Sequence, residues 1–130
     1  MRCDGYPPMS KRILVVDDDP DIRQILRDRL ASYGYSVETA IGGTEALDAL
    51  RRETYDGMIL DIQLPGIDGL EVLHQVRKIH PWMPVVLMTA LEARENAIQS
   101  MSEGAQALLL KPFDAAQLKQ VVERWFRPPV

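Results

Sequence analysis

Five short apolar runs of strand type alternate strictly with five stretches of helical period along this chain. Ile13-Leu14-Val15-Val16 is continuous and rich in β-branched residues, the pattern of a strand buried on both faces. Gly57 to Asp61 and Val85-Val86-Leu87-Met88-Thr89 repeat it, and Ala107-Leu108-Leu109-Leu110 ends the series. Tyr35-Ser36-Val37-Glu38-Thr39-Ala40 alternates apolar with polar instead, as an edge strand does. Strict βα alternation calls for an α/β fold: a doubly wound five-stranded parallel sheet, covered on both faces and joined by right-handed crossovers. A sheet of this kind places its site beyond the carboxyl ends of its strands.

The helices carry their own punctuation. Asp19 caps the first, with Pro20 at its first position, Ile22, Ile25, Leu26 and Leu30 turned inward, and Gly34 closing it. The second runs from Thr44 to Glu53 and buries Ala46, Leu47 and Leu50. Asp68 caps the third, with Glu71 completing a capping box, and its inward stripe is Leu70, Leu73, Val76 and Ile79. Pro81 and Pro84 bracket a loop. Glu92 to Glu103 forms a weaker fourth helix with Ala93, Ala97, Ile98 and Met101 inward, ended by Gly104. Asp114 caps the fifth, which buries Leu118, Val121, Val122 and Trp125. Residues 1–10 show no periodicity and read as a disordered lead-in, 11–127 as one folded domain, and 128–130 as a tail or the start of a linker.

The chain has 130 residues, of which 46% are hydrophobic and 26% charged, as expected of one soluble domain. A net charge of −4 argues against bulk nucleic-acid binding. Cys3 is the only cysteine, so a reducing, cytoplasmic setting is expected, and no apolar run approaches the roughly 18 residues of a membrane span.

The polar residues at strand ends carry the functional signal. Asp17 and Asp18 follow strand one, Asp61 ends strand three, Thr89 strand four and Lys111 strand five, so all five fall on one rim. Singly, each reads as a helix cap, a turn acid, a surface lysine or a β-former. Together they suit phosphoryl transfer to a carboxylate. Clustered aspartates repel one another, and a hard divalent cation such as Mg²⁺ relieves that repulsion through oxygen ligands. Asp61 is then free to act as a nucleophile, while Lys111 and Thr89 meet the phosphoryl oxygens.

These pieces, Ile13-Leu14-Val15-Val16-Asp17-Asp18-Asp19-Pro20, Leu60-Asp61-Ile62-Gln63-Leu64-Pro65-Gly66-Ile67-Asp68-Gly69, Met88-Thr89-Ala90 and Lys111-Pro112-Phe113, resemble the receiver domain of two-component response regulators over about Lys11 to Phe126. The resemblance implies the flavodoxin-like (βα)5 fold with strand order 2-1-3-4-5. It implies that Asp61 accepts a phosphoryl group from a sensor histidine kinase or phosphotransfer protein. Asp18, Asp61 and the Gln63 backbone carbonyl would hold Mg²⁺, or Mn²⁺ in its place, with Asp17 helping directly or through water. Lys111 would pair with Asp61 beforehand and with the phosphoryl group afterwards, and Thr89 would move toward it. A cis bond at Lys111-Pro112 is implied as well.

Such a domain is a switch rather than an enzyme; it catalyses only its own aspartate phosphorylation and dephosphorylation. It would signal through the face formed by its fourth helix, fifth strand and fifth helix to an effector domain or protein, without itself binding nucleic acid or membrane, and a phosphorylation-dependent dimer is one arrangement left open.

Departures from the family pattern are specific. Leu108 stands where an aromatic switch residue is usual, and Gln106-Ala107 replaces the acid pair of receivers that dimerise on DNA. Gln63 and Leu91 occupy the two positions that flank the path of attacking water. Among other readings, an Asp-x-Asp phosphatase lacks its second acid at Gln63, and a flavin site would not place three aspartates in its phosphate loop. A degenerate receiver, binding partners without phosphorylation, is the alternative that Leu108 keeps open. His74 and His80 read as surface or loop residues, and Met58, Met83, Met88 and Met101 as core fillers. The reading leaves open whether the domain stands alone or belongs to a larger regulator or hybrid kinase.

Overall fold

The computed structural model describes residues 11–67 and 69–126. The expectations for residues 1–10, the Asp68 cap and the tail after Phe126 lie outside them. The elements run β1 (Arg12–Val16), α1 (Pro20–Ser32), β2 (Ser36–Ala40), α2 (Gly43–Arg52), β3 (Gly57–Asp61), α3 (Gly69–Ile79), β4 (Val85–Ala90), α4 (Arg94–Ser100), β5 (Ala107–Lys111) and α5 (Ala115–Trp125). Single 3-10 turns, Leu91–Ala93 and Met101–Glu103, flank α4. All strand pairs are parallel, and the order is β2-β1-β3-β4-β5. This is the flavodoxin-like arrangement, with the two halves of the chain winding outward from β1 and β3.

Period-two alternation in the strands divides the core in two. Leu14, Val16, Met58, Leu60, Val85 and Leu87 point to the layer of α2 and α3. Ile13, Val15, Ile59, Val86, Met88 and Leu109 point to α1 and α5. Asp19 caps α1, accepting a hydrogen bond from the Asp21 amide, with Pro20 in the first turn. Asp114 caps α5 in a capping box with Gln117. Each cap contributes about 1 kcal/mol.

Several side chains differ from the expected stripes. Ile25 is 43% exposed and Ile98 53% exposed. In α1 the line i, i+4, i+8 through Ile22, Leu26 and Leu30 meets the sheet, leaving Ile25 on the flank. In α4, only seven residues long, Ala97 and Ser100 face inward, and Ile98 is turned about 100° away from Ala97. In α3 the buried line is Val72, Leu73 and Val76, with Leu70 and Ile79 half-buried at its margins. In α5, Val121 and Trp125 are half-buried, and Phe126 takes the deep position instead. Its ring lies over Gly57, where a Cβ would stand 2.5 Å from it. The remaining expected core residues, Met58, Met83 and Met88 among them, are buried as read, except that Ile22, Ala93 and Met101 are half-buried.

At the start of β1, Arg12 stacks over the Tyr55 ring at 5.0 Å, and the Tyr55 hydroxyl donates to Glu38 at 2.9 Å. Burial, then the bond to Glu38, pushes the Tyr55 hydroxyl up to about 12 from the ordinary 10.0. The folded value lies above the unfolded one. This contribution is therefore complete below pH 10.0 and is lost as pH rises through about 12. Urea denaturation should show stability falling between roughly pH 10 and pH 12, with part of that slope removed in Tyr55→Phe. An identical slope in the variant would place the titrating group elsewhere.

Candidate functional site

The carboxyl ends of β1, β3, β4 and β5 bring the expected rim together. Register does this directly. Val16 pairs with Leu60, Asp61 with Met88, and Ala90 with Lys111. Asp17 and Asp61 therefore stand level, with Thr89 one residue further along the same edge and Lys111 two. Asp17 and Thr89 have no exposed surface and Asp61 only 3%, whereas Asp18 is exposed.

Buried carboxylates need partners, and each of these two has them. Lys111 Nζ donates to Asp17 Oδ2 and to Asp61 Oδ2, both at 2.8 Å. The other Asp17 oxygen accepts the Asp19 amide at 2.9 Å, and the other Asp61 oxygen accepts the Gln63 amide at 2.8 Å. Arg23, one turn into α1, donates to the Asp17 carbonyl at 2.8 Å. Burial alone would lower the Lys111 pKa. The bonds to Asp17 and Asp61 outweigh it and hold the ammonium above its ordinary value. The Lys111-Pro112 peptide is cis, as expected.

Asp17, Asp18 and Asp61 each offer a carboxylate oxygen within 4.8 Å of the others. An all-oxygen set, anionic and open to solvent on the Asp18 side, fits a hard cation of the Mg²⁺ class better than a thiophilic one. The close fit continues into the β3–α3 loop. At Gly69 a Cβ would stand 2.3 Å from the Ile62 Cα and 2.8 Å from the Asp61 carbonyl. Only glycine lets α3 start this near the residue that carries the central carboxylate.

Three contacts escaped the sequence reading. Lys111 bridges Asp17 as well as Asp61. The Gln63 amide oxygen accepts long hydrogen bonds from the Thr89 hydroxyl and the Ala90 amide, both at 3.4 Å. Arg23 braces the end of β1; its place six residues after Asp17 was the available signal. Leu91 is 58% exposed beside the rim, and Leu108 is half-buried against the α2–α3 layer. His74 is exposed and pairs with Glu103, while His80 lies at the end of α3. A cavity of about 650 Å³ lined by Arg12, Arg51, Arg52 and His80 lies at the opposite end of the sheet and holds none of the rim residues.

The sheet order and this rim define a flavodoxin-like domain with an acidic, lysine-bridged pocket at its strand ends. The sequence model of the response regulator receiver domain matches residues 13–123, and the chain belongs to that family. Over 112 residues it is 41% identical to the DNA-binding transcriptional regulator NtrC of Escherichia coli K12, covering 86% of this chain and 24% of that protein. It is 42% identical over 110 residues to response regulator MprA of Mycobacterium tuberculosis H37Rv, covering 85% of this chain and 48% of that one. Among solved structures, the receiver domain of NtrX from Brucella abortus superimposes with a TM-score of 0.83 at 38% identity, covering 86% of this chain and 95% of that one. Chemotaxis protein CheY4 of Vibrio cholerae gives 0.81 at 32%, covering 88% of this chain and 98% of that one. The chain thus spans between 24% and 48% of the length of the curated relatives it matches here. Among the described residues, no helix is long and apolar enough to cross a membrane.

Proposed function

We infer that this domain accepts a phosphoryl group on Asp61, with Asp17, Asp18 and Asp61 holding Mg²⁺, and passes the change to an effector. The observation that carries the reading is the Lys111 ammonium, 2.8 Å from both buried carboxylates, with Asp18 completing an oxygen set beside it. An Asp61 oxygen attacks the phosphorus of a phosphohistidine, the P–N bond breaks, and the imidazole leaves with its electron pair. Lys111 follows the negative charge from the carboxylate to the phosphoryl oxygens. Thr89, now bonded to Gln63, turns its hydroxyl to a phosphoryl oxygen. Asp18, Asp61 and the Gln63 carbonyl would hold Mg²⁺, with Asp17 direct or through water, and the cation would supply charge neutralisation to the phosphoryl group.

The donor is a sensor histidine kinase or phosphotransfer protein, and the recipient an effector domain or protein in the cytoplasm. Gln63 and Leu91, at the mouth of the site, tune the lifetime of the phosphorylated state. Leu108 contributes less to the response of the β5 face than an aromatic would, because it fills only part of that volume and carries no hydroxyl.

Mg²⁺ binding should raise the melting temperature, with a stabilisation that grows with log concentration above Kd and reaches about 2.7 kcal/mol at a hundredfold excess over Kd. Asp18→Asn should remove most of that gain. The same Mg²⁺ response in the variant would place the cation elsewhere.

A further inference from the structure

The two ends of α4 are held in opposite ways. At its start neither Ala90 nor Ala93 supplies a side-chain cap, and the chain enters through the Leu91–Ala93 turn with Leu91 exposed. Within α4 only Ala97 and Ser100 are buried. A helix end without caps and with little buried surface opens at low cost.

The far end is docked on α3. Gly104 lies at φ 119, a conformation that favours glycine, and a Cβ there would stand 2.8 Å from the Arg77 Nε. The Arg77 guanidinium spreads its donors over four carbonyl oxygens. Nε donates to Gly104 O at 2.8 Å, one terminal nitrogen to His80 O at 3.1 Å and Pro81 O at 3.2 Å, and the other to Gln106 Oε1 at 3.1 Å. Gln106 Oε1 also accepts the Val85 amide at 2.7 Å, and the Gln106 amide donates to Val85 O at 2.9 Å. One turn earlier on α3, His74 pairs with Glu103. A rigid planar fork satisfied by fixed carbonyls holds a loop in one geometry, which a lysine's point charge cannot do.

We propose that Arg77, assisted by His74, is the stationary pivot of α4: residues 103–107 stay docked on α3 while residues 89–100 rearrange when the site is occupied. Displacement then starts at Thr89, where the rim is, and ends before β5. The pivot reaches β4 and β5 together through Gln106, so the α4–β5 loop is tied to the sheet rather than to the moving helix. The hydrogen bonds of Arg77 and Gln106 go to Gly104, His80, Pro81, Val85 and each other, not to the rim residues. The response arm of the test rests on the phosphoacceptor reading; the ligand-free arm does not.

The test is amide hydrogen exchange on the full chain, first without ligand and then with Mg²⁺ and beryllofluoride. Without ligand, amides 104–107 should exchange roughly tenfold more slowly than amides 94–99. Arg77→Met, which keeps most of the side chain's bulk, should erase that difference. Gln106→Glu, which keeps an acceptor for Val85 and gives the guanidinium a carboxylate, should preserve it. Equal exchange of the two segments in the native protein, or an undiminished difference in Arg77→Met, overturns the pivot. With ligand, amides 61–63 and 89 report occupation of the site. The pivot requires changes across 89–100 and none at 103–107, and a response at 103–107 as large as at 89–100 overturns it. A silent 61–63 and 89 would instead count against the phosphoacceptor reading, and the ligand-free comparison would still decide the pivot.

Discussion

Lys111→Met should lower the stability of the domain by about 3 kcal/mol at neutral pH in the absence of divalent cation. Asp17 and Asp61 are buried, and the ammonium sits 2.8 Å from an oxygen of each. Methionine preserves much of the stem's packing and removes the charge. Two carboxylates then face each other without a cation, and breaking a buried pair costs more than the pair itself contributes, because the remaining charge stays desolvated. The Lys111 side chain is 22% exposed, so water reaches the site, which sets the expectation at the low end of such losses. Mg²⁺ should restore more stability to the variant than it adds to the native protein, since a cation then relieves repulsion that no ammonium offsets. Equilibrium urea unfolding with and without Mg²⁺ checks both. A loss under roughly 1 kcal/mol would mean that Lys111 is a surface lysine in effect, and that the rim is not an electrostatic unit.

Asp61→Asn should abolish phosphorylation by a small phosphodonor while leaving the fold intact. Asparagine keeps the shape and an acceptor oxygen for the Gln63 amide, so the β3 end and its turn survive. What is lost is the nucleophile: an amide oxygen is a poor one, and no neighbour within the rim replaces it from the same strand end. Asp17→Asn, by contrast, keeps Asp61 and should slow labelling without ending it. The two variants separate a nucleophile from a member of the acidic cluster. Equal residual labelling in both would show that the rim has no single acceptor.

Much of this was legible in the residues. Asp61 announced itself because a buried apolar strand ran into a charge and then into Leu64-Pro65-Gly66. The parallel sheet followed from continuous apolar runs, which a one-sided antiparallel strand does not show. The rim followed from both, since strands of one parallel sheet put their ends on one edge. The second half of the Lys111 bridge was not legible: Asp17 and Lys111 are 94 residues apart, and two neighbouring aspartates competed for the role. The α4 region misled most. Its apolar residues suggested one helix over 92–103, but Ile98 faces solvent and the segment divides into a short helix between 3-10 turns, because small inward residues at 97 and 100 set its face. Arg77 and Gln106 left no signal at all, being polar residues 29 apart whose pairing exists only in the fold. In α5 the choice between Trp125 and Phe126 for the deep position turned on Gly57, far away in sequence, which alone makes room for a ring.

The central claim is that Asp61, and not a neighbouring acid, becomes covalently phosphorylated. Borohydride reduces an acyl phosphate to an alcohol, so phosphorylation with a small donor and Mg²⁺, followed by reduction and peptide mapping, marks the acceptor as homoserine. We predict homoserine at position 61 alone, absent when Mg²⁺ is withheld. Homoserine at position 17 or 18, or an unmodified Asp61 in protein that carries label, would contradict the account.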